Sequence, residues 1–243
     1  MKLSNIVYIN LEHRTDKKDF IENILSHSQC AVDKITAVQP TTQHEKGPQH
    51  LWDLKQYDRY YGVLGCFLSH VKSLEYLISK NLPPHEYSLI VEDDTYIDVK
   101  FWNVLTEIGK YTNVADIIFF DSCNNTAASC GIFPMVHKEY PICYSITGDK
   151  AFHKVLDNAD PIMYFFGTHC LAIQNSKLQK ILNILNNCPQ ILDIDLFYIL
   201  HPHLLKFCIQ TNLVHQAQVH FKTDIAKPYI DDLDATPGVP DVT

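Results

Sequence analysis

One segment constrains the fold of this 243-residue chain more than any other. The apolar run at residues 87–91 has the length and composition of a buried strand, and it leads directly into Glu92, Asp93 and Asp94. Open α/β sheets bind ligands at the carboxyl ends of their strands. Neighbouring carboxylates repel one another unless a cation neutralises them, and their oxygens suit Mg²⁺ or Mn²⁺. The segment predicts a metal site that holds a phosphorylated ligand, with a solvated acidic turn as the alternative for the triplet alone.

Composition and charge narrow the class of protein. Hydrophobic residues make up 46% of the chain and charged residues 20%, which is typical of a soluble globular protein. The net charge of -8 argues against nucleic acid as the main partner, because a phosphate backbone requires a basic surface. No apolar run is long enough for a transmembrane helix, and the first residues do not resemble a signal peptide, so we expect a cytoplasmic protein of a bacterium or virus. The eight cysteines form no Cys-x-x-Cys pair, so we expect reduced thiols and no structural zinc site.

The hydrophobic periodicity predicts alternating strands and helices, as in an α/β domain. We expect one domain over residues 1–227 and an acidic tail over residues 228–243. Thr15 is predicted to cap the first helix, and residues 122–161 are predicted to be irregular. Strands are predicted at residues 6–10, 87–91, 116–121, 168–173 and 207–209, and helices after Thr15, at residues 64–78, near residues 101–108, at residues 178–185 and after Asp193.

Two polar residues follow the first predicted strand. Asn10 ends that strand and Arg14 lies near the next helix, where the two could grip a base and a phosphate. A helix-capping turn with solvated charges is the alternative.

A second motif lies at residues 62–70. Gly62 and Gly65 lie three residues apart at a helix start, where glycines permit a ligand to approach the backbone closely. Ser69 and His70 follow beside the apolar stripe of the helix. His70 could hydrogen-bond a substrate or a carboxylate of the triplet, or it could be a structural histidine.

In order and spacing, these three segments resemble glycosyltransferase family 25, which includes lipooligosaccharide and collagen galactosyltransferases. Residues 9–17 are similar to the family pattern Ile-Asn-Leu-Asp-Arg-Arg-x-Asp-Arg, residues 62–70 to Gly-x-Ile-Gly-Cys-x-Leu-Ser-His, and residues 92–94 to Glu-Asp-Asp. Weaker similarity continues to residue 225. The chain departs from the family at His13 and Lys17, where arginine is usual, and at His169, where an aromatic residue is common. A lysine lacks the planar two-pronged phosphate grip of arginine.

The resemblance implies an α/β, single-domain A-type glycosyltransferase fold, with a Rossmann-like mixed sheet flanked by helices. It implies a UDP-hexose donor and inversion at the anomeric carbon. Mn²⁺ or Mg²⁺ would be held by Asp94, Glu92 and His220. The donor would contact Asn10, Leu11, Arg14, Gly65, Ser69, His70, Glu92 and Asp93.

An inverting transfer requires one general base. Asp193 is the first candidate and Asp195 the second, although Asp193 could be a helix cap and Asp195 a solvated acid. Asp121 is a further possibility because it also ends a buried strand.

The predicted function is therefore metal-dependent transfer of galactose or glucose from a UDP-sugar to a hydroxyl. The acceptor would be a glycan or the hydroxylysine of a collagen-like protein, and the match at His220 and Phe221 leans toward the collagen branch. The main alternative is a non-catalytic relative that binds a sugar or a protein. A metal-dependent nuclease or phosphotransferase is disfavoured, because residues 62–70 would have no role in it and the net charge is acidic.

Overall fold

The computed structural model describes residues 1–40, 60–112, 115–120, 143–146, 168–187, 206–209 and 213–217, together with residues 194, 204 and 221. Within these ranges the strands are β1 Leu3–Asn10, β2 Val32–Thr36, β3 Tyr87–Glu92, β4 Thr95–Ile97, β5 Ile117–Phe120, β6 Cys143–Ile146, β7 Cys170–Gln174, β8 Lys206–Ile209 and β9 Val214–Gln216. The helices are α1 Thr15–Leu25, α2 Tyr60–Ser79, α3 Lys100–Thr112 and α4 Leu178–Asn187, and a 3₁₀ turn at Asn175–Lys177 precedes α4.

The strands form a mixed sheet in the order β2-β1-β3-β7-β5-β8-β6, and β4 and β9 form a separate antiparallel pair. Strand β1 pairs in parallel with both β2 and β3, whereas β7 runs antiparallel to β3 and β5. Ile9 lies opposite Glu92 in the register of β1 and β3, so the carboxyl ends of these strands meet at one edge. This architecture confirms the predicted mixed α/β sheet.

Helices cover both faces of the sheet. Successive side chains of a strand point to opposite faces, so each central strand contributes to two cores. Val7 and Ile9 of β1 belong to a core shared with α2 and α4. Ile6 and Tyr8 belong to a second core shared with α1 and α3. The central strands are therefore apolar on both faces, and polar side chains at their ends are free to form a site. Among the helices of the described ranges, none combines the length and apolar character needed to cross a membrane.

Three sequence predictions about local structure were wrong or incomplete. Helix α1 begins at Thr15, and the residue that precedes it, Arg14, occupies the cap position without a capping side chain. The backbone amide of Arg14 bonds the carbonyl of Leu11 at 2.9 Å, so a tight turn starts the helix one residue early. The supposedly irregular residues 122–161 include β6. Helix α2 begins four residues before the predicted start. The tail after Lys227 lies outside the described residues.

Candidate active site

A cleft of about 440 Å³ lies at the carboxyl ends of β1 and β3, beside the first turns of α2. All three acids that follow the apolar run of β3 line it. The other lining residues are Ile9, Leu11, Lys17, Ala37, Val38, Gln39, Pro40, Tyr61, Gly62, Gly65, Cys66, Ser69 and Gln216. The parallel pairing of β1 with β3 therefore brings all three sequence motifs to one cavity, at the position expected for an α/β sheet.

Asp93 is held by groups from the first motif. Asn10, which is fully buried, donates from Nδ2 to Asp93 Oδ2 at 2.8 Å and to the carbonyl oxygen of Arg14 at 3.0 Å. Lys17 Nζ lies 3.3 Å from Asp93 Oδ1. Both carboxylate oxygens of Asp93 are therefore occupied by protein groups.

Lys17 is the cation of this acidic cluster. Its side chain is buried on α1, and Nζ also lies 3.5 Å from Asp94 Oδ2. The ring of Phe221 packs nearby, with its centroid 6.0 Å from Nζ. The repulsion that the sequence predicts within the triplet is therefore relieved in part by an ammonium group of the protein.

Asp94 retains one oxygen for a ligand. Gln216 Nε2 donates to Asp94 Oδ2 at 3.4 Å, and the backbone amide of Ala217 donates to the Asp94 carbonyl at 2.6 Å. Asp94 Oδ1 is buried and has no hydrogen-bond partner among the residues that the structure describes. The short pairing of β4 with β9 brings Gln216 to this position.

Glu92 faces a different group of side chains. Thr168 Oγ1 donates to Glu92 Oε1 at 2.8 Å, and the same oxygen lies 3.6 Å from His70 Nε2 and 3.8 Å from Cys66 Sγ. His70 is fully buried beneath the cleft. Of the alternatives left open by the sequence, the structure favours a histidine that contacts a carboxylate of the triplet.

The three carboxyls differ in electrostatic environment. Burial raises the pKa of Asp93 to about 6, against the opposing effects of Lys17 and Asn10. Burial also raises the pKa of Asp94, and repulsion from Glu92 adds to this shift. For Glu92, burial is outweighed by the nearby His70, whose Nε2 lies 3.6 Å from Oε1, together with His169 and Thr168, so its pKa falls below the usual range. A cation that approaches Asp94 would favour its ionised form.

Helix α2 is clamped to the wall of the cleft through the second motif. Ser69 Oγ donates to the Gly65 carbonyl at 2.6 Å and accepts from the backbone amide of Val38 at 2.8 Å. A Cβ on Gly65 would lie only 2.8 Å from the Val38 carbonyl oxygen and 3.1 Å from Cδ of Pro40. A glycine is thus required here for the close approach of another segment of the chain.

This clamp leads to a stability prediction. Ser69→Ala should lower the free energy of unfolding by about 1–3 kcal/mol, because the part-buried amide of Val38 loses its acceptor. Ser73→Ala is the matched control one turn later, since the buried Ser73 hydroxyl only donates to the Ser69 carbonyl, at 2.8 Å. Urea unfolding of both variants measures the difference, and an equal loss in the two would contradict the clamp.

The other predicted site residues differ in whether they line the cleft. Leu11 lines the cleft, whereas Arg14 is not among its lining residues. Arg14 instead pairs with Asp16 through two contacts, at 2.9 and 3.0 Å. Asp193, Asp195, His220 and Asp121 lie outside the described residues, so their predicted roles stay predictions.

Sequence reasoning missed the roles of Lys17 and Gln216. The sequence marks Lys17 only as a departure from the arginine usual in the family. Its position in the first motif was the one signal for a role at the site. Gln216 lies on a three-residue strand that has no periodic pattern to identify it. Both contacts join residues more than 70 positions apart, so local sequence patterns could not reveal them.

With this geometry in place, comparison with known proteins decides the family. A sequence profile of glycosyltransferase family 25 (LPS biosynthesis protein) matches residues 3–198. The chain belongs to glycosyltransferase family 25. The resemblance inferred from the three motifs is confirmed. Membership in family 25 supports glycosyl transfer in general, and with it a sugar donor and an acceptor.

Several solved structures are similar to this family 25 chain. A glycosyltransferase involved in glycosylation of the major capsid of PBCV-1 has 13% identity and a TM-score of 0.41, over 94% of this chain and 89% of that one. Mannose-1-phosphate geranyltransferase from Thermus thermophilus has 11% identity and a TM-score of 0.42, over 88% and 76%. The apo-form glycosyltransferase GlyE of Streptococcus pneumoniae has 9% identity and a TM-score of 0.33, over 85% and 45%. No curated protein matches the chain in sequence. The family assignment rests on the profile match, not on these structures.

Proposed function

We propose that this family 25 protein is a metal-dependent inverting hexosyltransferase. It transfers galactose or glucose from a UDP-sugar to a hydroxyl of a glycan or of hydroxylysine in a collagen-like protein. The observation that carries the proposal is the acidic triplet, which lines a cleft of about 440 Å³ beside two parallel strand ends. This volume falls within the range of small-molecule sites.

The residues predicted to bind the UDP-sugar fall into two groups. Some contact the ligand directly, and the others act through a neighbouring residue. Leu11 and Gly65 line the cleft and would contact the donor there. Asn10 acts through Asp93, and Ser69 acts through Val38. His70 acts through Glu92. Arg14 reaches a phosphate only after it leaves Asp16.

The donor set at Asp94 fits a hard divalent cation. Asp94 Oδ1 is a buried carboxylate oxygen without a hydrogen-bond partner in the described part of the chain, and Mn²⁺ and Mg²⁺ prefer such ligands. Asp94, Glu92 and His220 would hold the ion. When bound, the metal would neutralise the diphosphate and stabilise the UDP leaving group.

Two groups complete the proposed chemistry. Lys17 Nζ supplies a second positive charge beside the diphosphate position, because it lines the same cleft. Asp193, or failing that Asp195, accepts the proton of the acceptor hydroxyl. The residue between them, Ile194, is buried in the core shared with α2.

A thermal-shift screen followed by a transfer assay tests the proposal. UDP-galactose or UDP-glucose should raise the melting temperature in the presence of Mn²⁺ and do so weakly in its absence, because only ligands of the folded state stabilise it. GDP-mannose is the control nucleotide sugar. The stabilising donor should then release UDP when glycan or hydroxylysine peptide acceptors are added. Stabilisation without UDP release would support the binding relative, and no stabilisation by any nucleotide sugar would contradict the proposed transferase.

A further inference from the structure

A cluster of soft and hard ligands lies at the base of the cleft, separate from the free oxygen of Asp94. Cys66 and His70 lie four residues apart on α2 and therefore project from the same side of the helix. Glu92 faces them from the end of β3. One ligand atom from each residue lies within 4.8 Å of the other two.

We propose that Cys66, His70 and Glu92 form a binding site for a soft divalent cation of the zinc class. The site is an open one, with three protein ligands and a fourth position directed toward the cleft. The proposal does not depend on the transferase activity. It adds a metal site that shares Glu92 with the hard-cation position at Asp94.

The distances support this site. Glu92 Oε1 lies 3.8 Å from Cys66 Sγ and 3.6 Å from His70 Nε2. Tetrahedral zinc binds sulfur at about 2.3 Å and nitrogen or oxygen at about 2.0–2.1 Å, which places pairs of its ligands roughly 3.3–3.6 Å apart. The third pair, Cys66 and His70, lies within 4.8 Å, so ligand side chains would move closer together when the metal binds. Binding would release the thiol proton of Cys66 to solvent, because the thiolate is the ligand.

The chemistry of the ligands separates the two metal positions. A thiolate and an imidazole favour zinc or cobalt over Mg²⁺ and Mn²⁺, which prefer oxygen. Cys66 and Glu92 line the cleft while His70 lies buried below it, so the uncovered side of the cluster faces the cavity. Three ligands with an accessible fourth position are typical of reactive zinc sites, whereas structural sites are closed by four protein ligands. The lack of a Cys-x-x-Cys pair in the sequence is consistent with this type of site.

A neighbouring group already orients one of the ligands. Thr168 Oγ1 donates to Glu92 Oε1 at 2.8 Å. Hydrogen bonds of this kind fix the position of metal ligands, and their loss typically weakens binding about 10–100-fold.

Cobalt titration tests the site, because a cobalt–thiolate bond produces a charge-transfer absorption in the near ultraviolet. The wild-type protein should develop this band at one equivalent of Co²⁺. Cys66→Ser should abolish it, and His70→Asn should abolish or greatly weaken it. Cys30→Ser is the control, because the Cys30 thiol lies beside the Leu3 carbonyl and contributes nothing to the cluster. Thr168→Val should weaken Co²⁺ binding about 10-fold.

Zinc content gives a second readout. The purified wild-type protein, supplied with Zn²⁺ and dialysed, should retain about one zinc per chain, and Cys66→Ser should lose it. Asp94→Asn should keep both the zinc and the cobalt band, which distinguishes this proposal from failure of the hard-cation site. Absence of the band in wild type, or its persistence in Cys66→Ser, would overturn the proposal. If Cys66→Ser does not fold, Cys66→Ala serves in its place, and an unchanged melting temperature of wild type with Zn²⁺ counts against the site.

Discussion

Asp94→Asn should reduce hexosyl transfer by about 1,000-fold, the order of loss seen when a group that stabilises transition-state charge is removed. The reason is that Asp94 Oδ1 is a buried carboxylate oxygen with no hydrogen-bond partner among the described residues. The amide keeps the shape of the side chain and removes its charge. UDP affinity in the presence of Mn²⁺ should fall to its metal-free value. Initial rates and calorimetric titration with UDP measure the two effects.

Asp19→Asn is the matched control for this experiment. Asp19 is an exposed carboxylate of α1 and does not line the cleft, so its loss should leave turnover and UDP binding unchanged. Full activity in Asp94→Asn, or an equal loss in both variants, would contradict the role given to Asp94. A folded Asp94→Asn protein that still binds UDP in a Mn²⁺-dependent manner would contradict it as well.

Lys17→Met should lower the free energy of unfolding by about 3–5 kcal/mol, because it leaves buried carboxylates without their cation. Lys17 is 3% exposed, and its Nζ lies within 3.5 Å of both Asp93 and Asp94. Mn²⁺ should then raise the melting temperature of the variant more than that of wild type, since a metal can supply the missing charge. Urea unfolding and thermal shift with Mn²⁺ measure these two effects.

Two further variants test whether the effect is specific to the Lys17 charge: a control at the neighbouring Lys18 and a double variant at Lys17 and Asp93. Lys18→Met removes a pair with Glu22 on the outer face of α1 and should change stability far less. The double variant Lys17→Met/Asp93→Asn should be more stable than Lys17→Met by at least about 1 kcal/mol, because one uncompensated carboxylate is gone. Equal losses in Lys17→Met and Lys18→Met would show that Lys17 does not stabilise the acidic cluster.

The sequence predicted the sheet well where strands were apolar on both faces. The apolar runs in β1 and β3 each lead to a polar residue, and pattern and position agreed. Glu92 at the end of β3 lines the cleft, and Asn10 at the end of β1 holds Asp93. Strands β4 and β9 have three residues each, too few for any period to be visible. Their pairing nevertheless brings Gln216 to Asp94.

The triplet lies at the carboxyl edge of the sheet where the sequence placed it, and all three of its acids line the cleft. The metal that the sequence predicts there stays a prediction, whereas the structure shows a positive charge from the protein itself. That this charge comes in part from Lys17 could not be predicted, because it depends on how α1 packs against the turn after β3. The contacts of His70 with Glu92, and of Ser69 with Val38, likewise depend on tertiary packing and not on local pattern.

Anomalous scattering from crystals grown with Mn²⁺ and UDP tests the central claim most directly. We expect a manganese peak at bonding distance from an Asp94 oxygen and from the diphosphate of UDP, inside the cleft that the triplet lines. Lys17 should then contact a phosphate oxygen or remain beside Asp93. A cleft that binds UDP with no manganese at Asp94, or a peak only beside Cys66 and His70, would contradict metal-dependent donor binding at this site.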